Sequence, residues 1–315
     1  MTERQVSTMS NNNNRIEYIN ELARENPQAF VARAELRYRN IINNIAEKAL
    51  DDLGRKIIML AGPSASGKTT TAKKIAETFT SLGMTTYVVS LDDFYKNRCD
   101  IPGYAEGNPD FETVYALDID LISETLKSLM AGKETELPIF DFTTGSRKDV
   151  TRKITLGKND AVIVEGLHAL NPIVTSGLDG LKLMKIYISV SSRIYDAKGR
   201  IVLNKRNLRF MRRLIRDYNF RASSVENTYD LWQSVCDGED KYLFPYEDMA
   251  DVRINSIHMC EPCLFKNTVL EMLEGASLSE EYARSAKKLI HSLKQFESVD
   301  LSLVPEDSLL REFIG

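Results

Sequence analysis

The sequence predicts an α/β fold, a mostly parallel sheet flanked by helices, and three observations carry that prediction. Ile57-Ile58-Met59-Leu60-Ala61 is a short apolar run of the kind a buried parallel strand uses. It leads directly into Gly62-Pro63-Ser64-Ala65-Ser66-Gly67-Lys68-Thr69-Thr70, after which Ala72, Ile75, Ala76, Phe79 and Leu82 recur at helical spacing until Gly83. A second β-branched run, Thr85 to Leu91, completes a strand, helix, strand unit. Such units cross over right-handedly and collect ligands at the carboxyl ends of their strands.

The middle segment fits G-x-x-x-x-G-K-[ST], a phosphate-cradling loop that needs a strand before it and a helix after it. Glycines at 62 and 67 let the backbone curl with its N–H groups inward, and the helix adds its positive dipole end. Lys68 is the group to reach the β- and γ-phosphates, and the Thr69 hydroxyl takes a position on Mg²⁺. Candidate ATP contacts are therefore Gly62, Ser64, Ala65, Ser66, Gly67, Lys68, Thr69 and Thr70, and the expected architecture is a P-loop NTPase fold. An ordinary strand, glycine turn and helix would leave Lys68 beside Thr69 without a reason.

Length and composition bound the rest. A chain of 315 residues with 43% hydrophobic and 27% charged content holds one large α/β domain with attached helices. Net charge of −4 gives no basic field for a nucleic-acid backbone, and neither a membrane span nor a signal core is visible. The expectation is a cytoplasmic protein without nucleic-acid or membrane partners, with room for a homo-oligomer. The four cysteines (Cys99, Cys236, Cys260, Cys263) read as reduced thiols; His258-x-Cys260-x-x-Cys263 is half a zinc pattern without its other half.

In chain order, residues 1 to 14 are polar and read as a frayed tail, and apolar periodicity from Ile16 to Leu53 reads as one or two helices with Asn26-Pro27 as a start signal. The expected division is 1–54 tail and N-terminal helices, 55–260 P-loop domain, and 261–315 C-terminal helices packing on it. A Gly- and Pro-rich loop from Lys96 to Glu112 precedes a helix over about Asp118 to Ala131. Glu136 to Phe142 and Thr151 to Leu156 flank Thr143-Thr144-Gly145-Ser146-Arg147 as a β-flap. Strands follow at Ala161 to Gly166, Met184 to Val190 and Val252 to Ile254. Between the last two, an amphipathic helix over 204 to 221 carries six arginines.

A phosphate loop alone does not name a reaction, so what converges on it decides. Asp92 follows the second strand, where it could accept a proton from an acceptor hydroxyl or join the magnesium shell; capping the next turn is the lesser alternative. Asp93 competes for the role, although alternation along a strand aims only one of the two at the phosphates. Glu165 ends another apolar strand and is the second candidate metal ligand. Guanidinium groups on the arginine helix suit the charge that phosphoryl transfer spreads over equatorial oxygens. A GTP-dependent switch would read guanine with Asn-Lys-x-Asp, but Asn204-Lys205-Arg206-Asn207 ends in an amide. A catalytically weak regulatory module is a further alternative.

The order and spacing of Gly62-x-x-x-x-Gly67-Lys68-Thr69, Ser90-Leu91-Asp92-Asp93-Phe94-Tyr95, Leu137-Pro138-Ile139-Phe140-Asp141-Phe142, Ser146-Arg147, Val164-Glu165-Gly166 and Arg212-Arg213-Leu214-Ile215-Arg216-Asp217 resemble uridine kinases. Over residues 55 to 255 the chain looks like the uridine kinase and phosphoribulokinase group, and its closing Leu309 to Gly315 resembles a bacterial nucleoside kinase branch. That branch carries a longer N-terminal region than residues 1–54 supply. The resemblance implies ATP and Mg²⁺, with a nucleoside 5′-hydroxyl as acceptor, or a sugar phosphate as the alternative. It makes Asp92 the base, Thr69, Asp92 and Glu165 the metal ligands, and Lys68, Arg209 and Arg213 catalytic groups. Arg212 and Arg216 would reach ATP from a closing lid. Tyr95, Phe111, Phe140 and Phe142 would line the nucleoside pocket, where core packing is their other reading, and Glu112 would bind ribose. Gly145 stands where pyrimidine kinases carry a base-contacting histidine, so base preference should loosen unless Thr144 or Arg147 substitutes.

Overall fold

The computed structural model describes residues 13–50, 56–107 and 110–315, so most of the expected frayed tail lies outside the described residues. Two N-terminal helices, α1 (Ile16–Glu25) and α2 (Pro27–Leu50), precede the sheet, and Pro27 opens the second at the position where a missing N–H costs nothing. The sheet has five parallel strands in the order β11 (Val252–Asn255), β8 (Leu183–Ser189), β1 (Lys56–Ala61), β7 (Ala161–Glu165) and β2 (Thr86–Ser90). Both faces are covered, which is why these strands read as continuous apolar runs. Ile58 and Leu60 face the loop helix α3 (Lys68–Ser81) through Ala72, Ile75 and Phe79. Ile57, Met59 and Ala61 face the opposite layer, where α4 (Ile119–Met130) contributes Ile122, Leu126 and Leu129.

The expected flap is a hairpin in two short ladders, β3 (Thr135–Leu137) with β6 (Arg152–Ile154) and β4 (Phe140–Asp141) with β5 (Ser146–Arg147). After a one-turn helix α5 (Pro172–Thr175) and β8 comes a hairpin the sequence reading did not contain, β9 (Ile194–Tyr195) and β10 (Ile201–Leu203). Its Asp196-Ala197-Lys198-Gly199 turn is held by the Asp196 carboxylate accepting from the Lys198 and Arg200 N–H groups.

The arginine helix is α6 (Lys205–Phe220), followed by α7 (Val225–Tyr242), α8 (Glu261–Gly275) and α9 (Glu280–Leu293). Asn204 and Asn207 cap α6 reciprocally, each side-chain oxygen accepting the other's backbone N–H at 2.8 and 3.0 Å. The Asn-Lys-x-Asn element is therefore spent on starting a helix. Helix α2 and the segment from 309 to 314 both enter the α3-side core: the Tyr38 hydroxyl of α2 meets Thr71 Oγ1 at 2.6 Å, and Leu309, Leu310 and Phe313, the last within the short α10 (Arg311–Ile314), are fully buried there. His258, Cys260 and Cys263 are buried where α8 begins, with His258 Nδ1 3.2 Å from the Ser256 carbonyl. No cluster of three metal-ligating side chains of the His, Cys, Asp or Glu type forms among the described residues. No helix among them is long and apolar enough to cross a membrane.

Candidate active site

The phosphate loop leaves β1 at Gly62, where a Cβ would fall 2.2 Å from the Ile188 carbonyl of β8, so only glycine lets the two strands lie this close. At the other end Gly67 adopts φ +89° and starts α3. Beside the loop is a cavity of about 350 Å³ whose wall includes Ser64, Ala65, Gly67, Lys68, Thr69, Asp92, Tyr95, Glu112, Glu165, Arg213 and Arg216. The predicted lysine, threonine and both strand-end carboxylates thus share one hollow.

The contacts within it are direct. Thr69 Oγ1 donates to Glu165 Oε1 at 3.2 Å, and Ser90 Oγ donates to the same oxygen at 3.0 Å. Ser90 Oγ in turn accepts the Asp92 N–H at 3.3 Å, so one serine ties the two acidic strand ends together. The choice between neighbouring aspartates is made by the turn that follows β2: Asp92 opens on the cavity, whereas Asp93 accepts the Phe140 N–H of the flap at 3.3 Å. Burial pushes the Glu165 carboxyl up to about 7, with the negative charge of Asp92 adding to the effect and Lys68 opposing it. Asp92 reaches solvent through the cavity, yet the protein packed around it raises its carboxyl as well, against Lys68 and Arg221. A threonine hydroxyl and a carboxylate side by side at a phosphate loop, with a second carboxylate in the same hollow, are hard oxygen donors of the kind Mg²⁺ takes.

The arginines divide in a way the sequence did not disclose. Arg213 Nη1 donates to Ser64 Oγ at 2.9 Å, and buried Asp217 holds both Arg213 Nε at 3.1 Å and Arg216 at 2.7 Å. Those two line the cavity, as does Arg221, which was not among the expected site residues. Arg209 and Arg212 correct the sequence expectation. Arg209 is 3% exposed and forked onto the fully buried Glu239 at 2.6 and 2.8 Å. Glu239 also accepts the Ser64 N–H at 2.7 Å, so this pair braces the loop from behind. Arg212 is fully buried, bonded to Glu261, Ser256 and the carbonyls of Ala65 and Ser66. Neither guanidinium faces the cavity, because each is consumed by a carboxylate from a later helix.

On the acceptor side, Tyr95, Phe140 and Phe142 form one aromatic cluster with ring centroids 5.0 to 6.1 Å apart. Phe142 is 61% exposed and Phe111 40%, so core packing does not account for them. Phe111 itself offers its carbonyl to the Tyr95 hydroxyl at 3.0 Å. Arg147 does not point at a base: its guanidinium donates to the Phe94 and Tyr95 carbonyls and to Asp118, positioning Tyr95. Of the other loop residues, Ser66 is buried with its hydroxyl unpartnered, and the Thr70 N–H is taken by Glu312, which also lines the cavity.

Glu112 carries a stability prediction. Burial pushes its carboxyl from 4.5 up to about 7, with Glu239 reinforcing and Arg213 opposing the shift. The native state therefore holds this proton more tightly than the unfolded chain. The stability it contributes is present below pH 4.5 and is lost as pH rises through about 7, a change of roughly 3 kcal/mol. Glu112→Gln is expected to raise the urea midpoint at pH 8 and to give no gain at pH 4.5. A gain of equal size at both would show that charge is not the cause.

A five-stranded parallel sheet with a lysine-bearing phosphate loop at its central strand and carboxylates at two neighbouring strand ends defines a P-loop phosphotransferase. The family model described as Phosphoribulokinase / Uridine kinase family matches residues 57–261, and the chain belongs to that family. It is a kinase that phosphorylates an alcohol acceptor. Among its relatives, a uridine kinase of Macrococcus caseolyticus is 29% identical over 199 residues, covering 63% of this chain and 86% of that one. A uridine kinase of Staphylococcus aureus is 30% identical over 200 residues with the same coverage. A solved structure described as a possible uridine kinase of Bacillus stearothermophilus aligns over 70% of this chain and 99% of its own, at 22% identity and a TM-score of 0.48.

Proposed function

We propose that the protein transfers the γ-phosphate of ATP to the 5′-hydroxyl of a nucleoside, with uridine and cytidine as the preferred acceptors. The observation that carries this reading is that Asp92 shares one cavity with Lys68 of the phosphate loop and with Tyr95, whose ring packs against Phe140 and the exposed Phe142. Loop N–H groups and Lys68 hold the triphosphate. Asp92 takes the proton of the acceptor hydroxyl, Arg213 and Arg216 spread the equatorial charge from the lid side, and Tyr95, Phe140 and Phe142 hold the base by stacking. Thr69, Glu165 and Asp92 are the residues that would hold Mg²⁺, which when bound would neutralise charge on the phosphates. Glu112 lines the same cavity, which supports assigning it to the ribose hydroxyls. Phosphorylating a preformed nucleoside with ATP is salvage chemistry, which belongs in the cytoplasm.

Base discrimination should be shallow. Gly145 has no side chain to offer, Arg147 is committed to backbone carbonyls and Asp118, and Thr144 Oγ1 is paired with Ser146 Oγ at 2.9 Å. Pure protein with Mg-ATP is expected to release ADP with uridine and cytidine. The preference over purine nucleosides should stay below about a hundredfold, the reach of pocket shape without dedicated hydrogen bonds. ADP release with ribulose 5-phosphate or another sugar phosphate but with no nucleoside would reject the nucleoside assignment.

A further inference from the structure

The segment that closes the chain runs across the phosphate loop. A Cβ on Gly67 would lie 2.6 Å from Leu309 Cδ1, and Phe313 packs beneath the Arg212 guanidinium at 5.2 Å. Its carbonyl accepts from Asn219 Nδ2 at 3.2 Å. Leu309, Leu310 and Phe313 are fully buried, so the segment is anchored. From this anchored stretch one side chain reaches the cavity. Glu312 Oε2 accepts both the Thr70 N–H at 3.3 Å and the Thr70 hydroxyl at 2.6 Å.

Thr70 is the third residue of α3, and its N–H is one of the first-turn donors without a partner inside the helix. Those donors continue the row of loop N–H groups along which an extended phosphate chain lies, so a carboxylate there sits where a phosphate oxygen would. Of the other carboxylates bonded to the loop, Glu239 is locked by Arg209 behind it, and Glu165 is held by Thr69 and Ser90 at its strand end. Glu312 stands in no ion pair among the described residues, and the one guanidinium that feels its charge, Arg221, lines the same cavity.

We propose that Glu312 is an internal competitor for the nucleotide: its carboxylate holds the Thr70 donors until a phosphate group displaces it, and it thereby sets nucleotide affinity. The inference rests on the loop being the nucleotide-phosphate site. Its physical content is that two anions compete for one hydrogen-bond donor pair at the positive end of a helix.

The test is calorimetric titration of the full chain with Mg-ATP and, separately, with inorganic tripolyphosphate. The proteins compared are the native one, Glu312→Gln, Glu312→Lys and Glu306→Gln. Glu306 is a neighbouring carboxylate whose side chain is 98% exposed, and it controls for net charge. Glu312→Gln is expected to tighten both ligands about three- to tenfold, Glu312→Lys to tighten them further, and Glu306→Gln to leave them unchanged. Melting temperatures of the four proteins guard against a folding defect. Affinities equal to or weaker than native in both Glu312 variants would overturn the proposal and leave the kinase reading intact. So would a gain seen with ATP but not with tripolyphosphate, since the contact would then be with the nucleoside. Absence of binding by the native protein itself would instead remove the phosphate-site reading, and the proposal with it.

Discussion

Replacing Asp92 with asparagine is expected to lower kcat by about 10²- to 10⁴-fold while the dissociation constant for ATP stays within a few-fold of native. Asparagine keeps the shape of the side chain, so the 3.3 Å bond from the backbone N–H of this residue to Ser90 Oγ survives, and with it the link to Glu165. What disappears is a group that can take a proton from the acceptor. Nucleotide affinity should hold because the loop donors and Lys68 belong to another element. The same variant should also change the pH profile. Asp92 and Glu165 are each raised by burial, and the charge of Asp92 adds to the rise of Glu165, so the native rate should fall on the acid side as these carboxyls take up protons. Steady-state and single-turnover rates measured between pH 5.5 and 8.5 check both points. A loss of less than about tenfold would mean that Asp92 does not handle the proton.

How far the sequence revealed this site depended on how local each signal is. Lys68, Thr69 and the two strand-end carboxylates were legible because a strand, a glycine loop and a helix fix their direction within a few residues. The flap was legible for the same reason, its strands being joined by a short turn. The arginine helix was not. Its apolar period correctly placed Leu208, Met211, Leu214 and Ile215 in the core, but six arginines at helical spacing carry no mark of which will be buried. That is decided by Glu239 and Glu261, which lie 30 and 49 residues beyond their partners. Glu312 is further still, 242 residues from Thr70, and a single glutamate in a short terminal helix carries no pattern of its own. The β9 and β10 hairpin fell below notice because its strands are two and three residues long, although Asp196 and Gly199 are ordinary turn residues.

Arg212 yields the largest expected effect on stability. Its guanidinium is fully buried, forked onto Glu261 through Nε and Nη2, and it donates from Nη1 to the Ala65 and Ser66 carbonyls at 3.2 and 3.3 Å. Arg212→Ala leaves the Glu261 carboxylate buried without its cation and is expected to cost about 3–5 kcal/mol in urea unfolding. Arg212→Lys keeps the charge but cannot reproduce the fork, so it should fall between. The informative comparison is the double variant Arg212→Leu with Glu261→Leu. Replacing a buried ion pair by apolar residues of similar volume is often neutral, so most of the lost stability should return. The two loop carbonyls would still lack their donors, and ATP affinity should remain well below native. Recovery of stability and affinity together would mean that Arg212 merely fills the core. Recovery of stability alone would show that this arginine holds the phosphate loop in shape from beneath, a role unlike the lid contact that its neighbours Arg213 and Arg216 are placed to make.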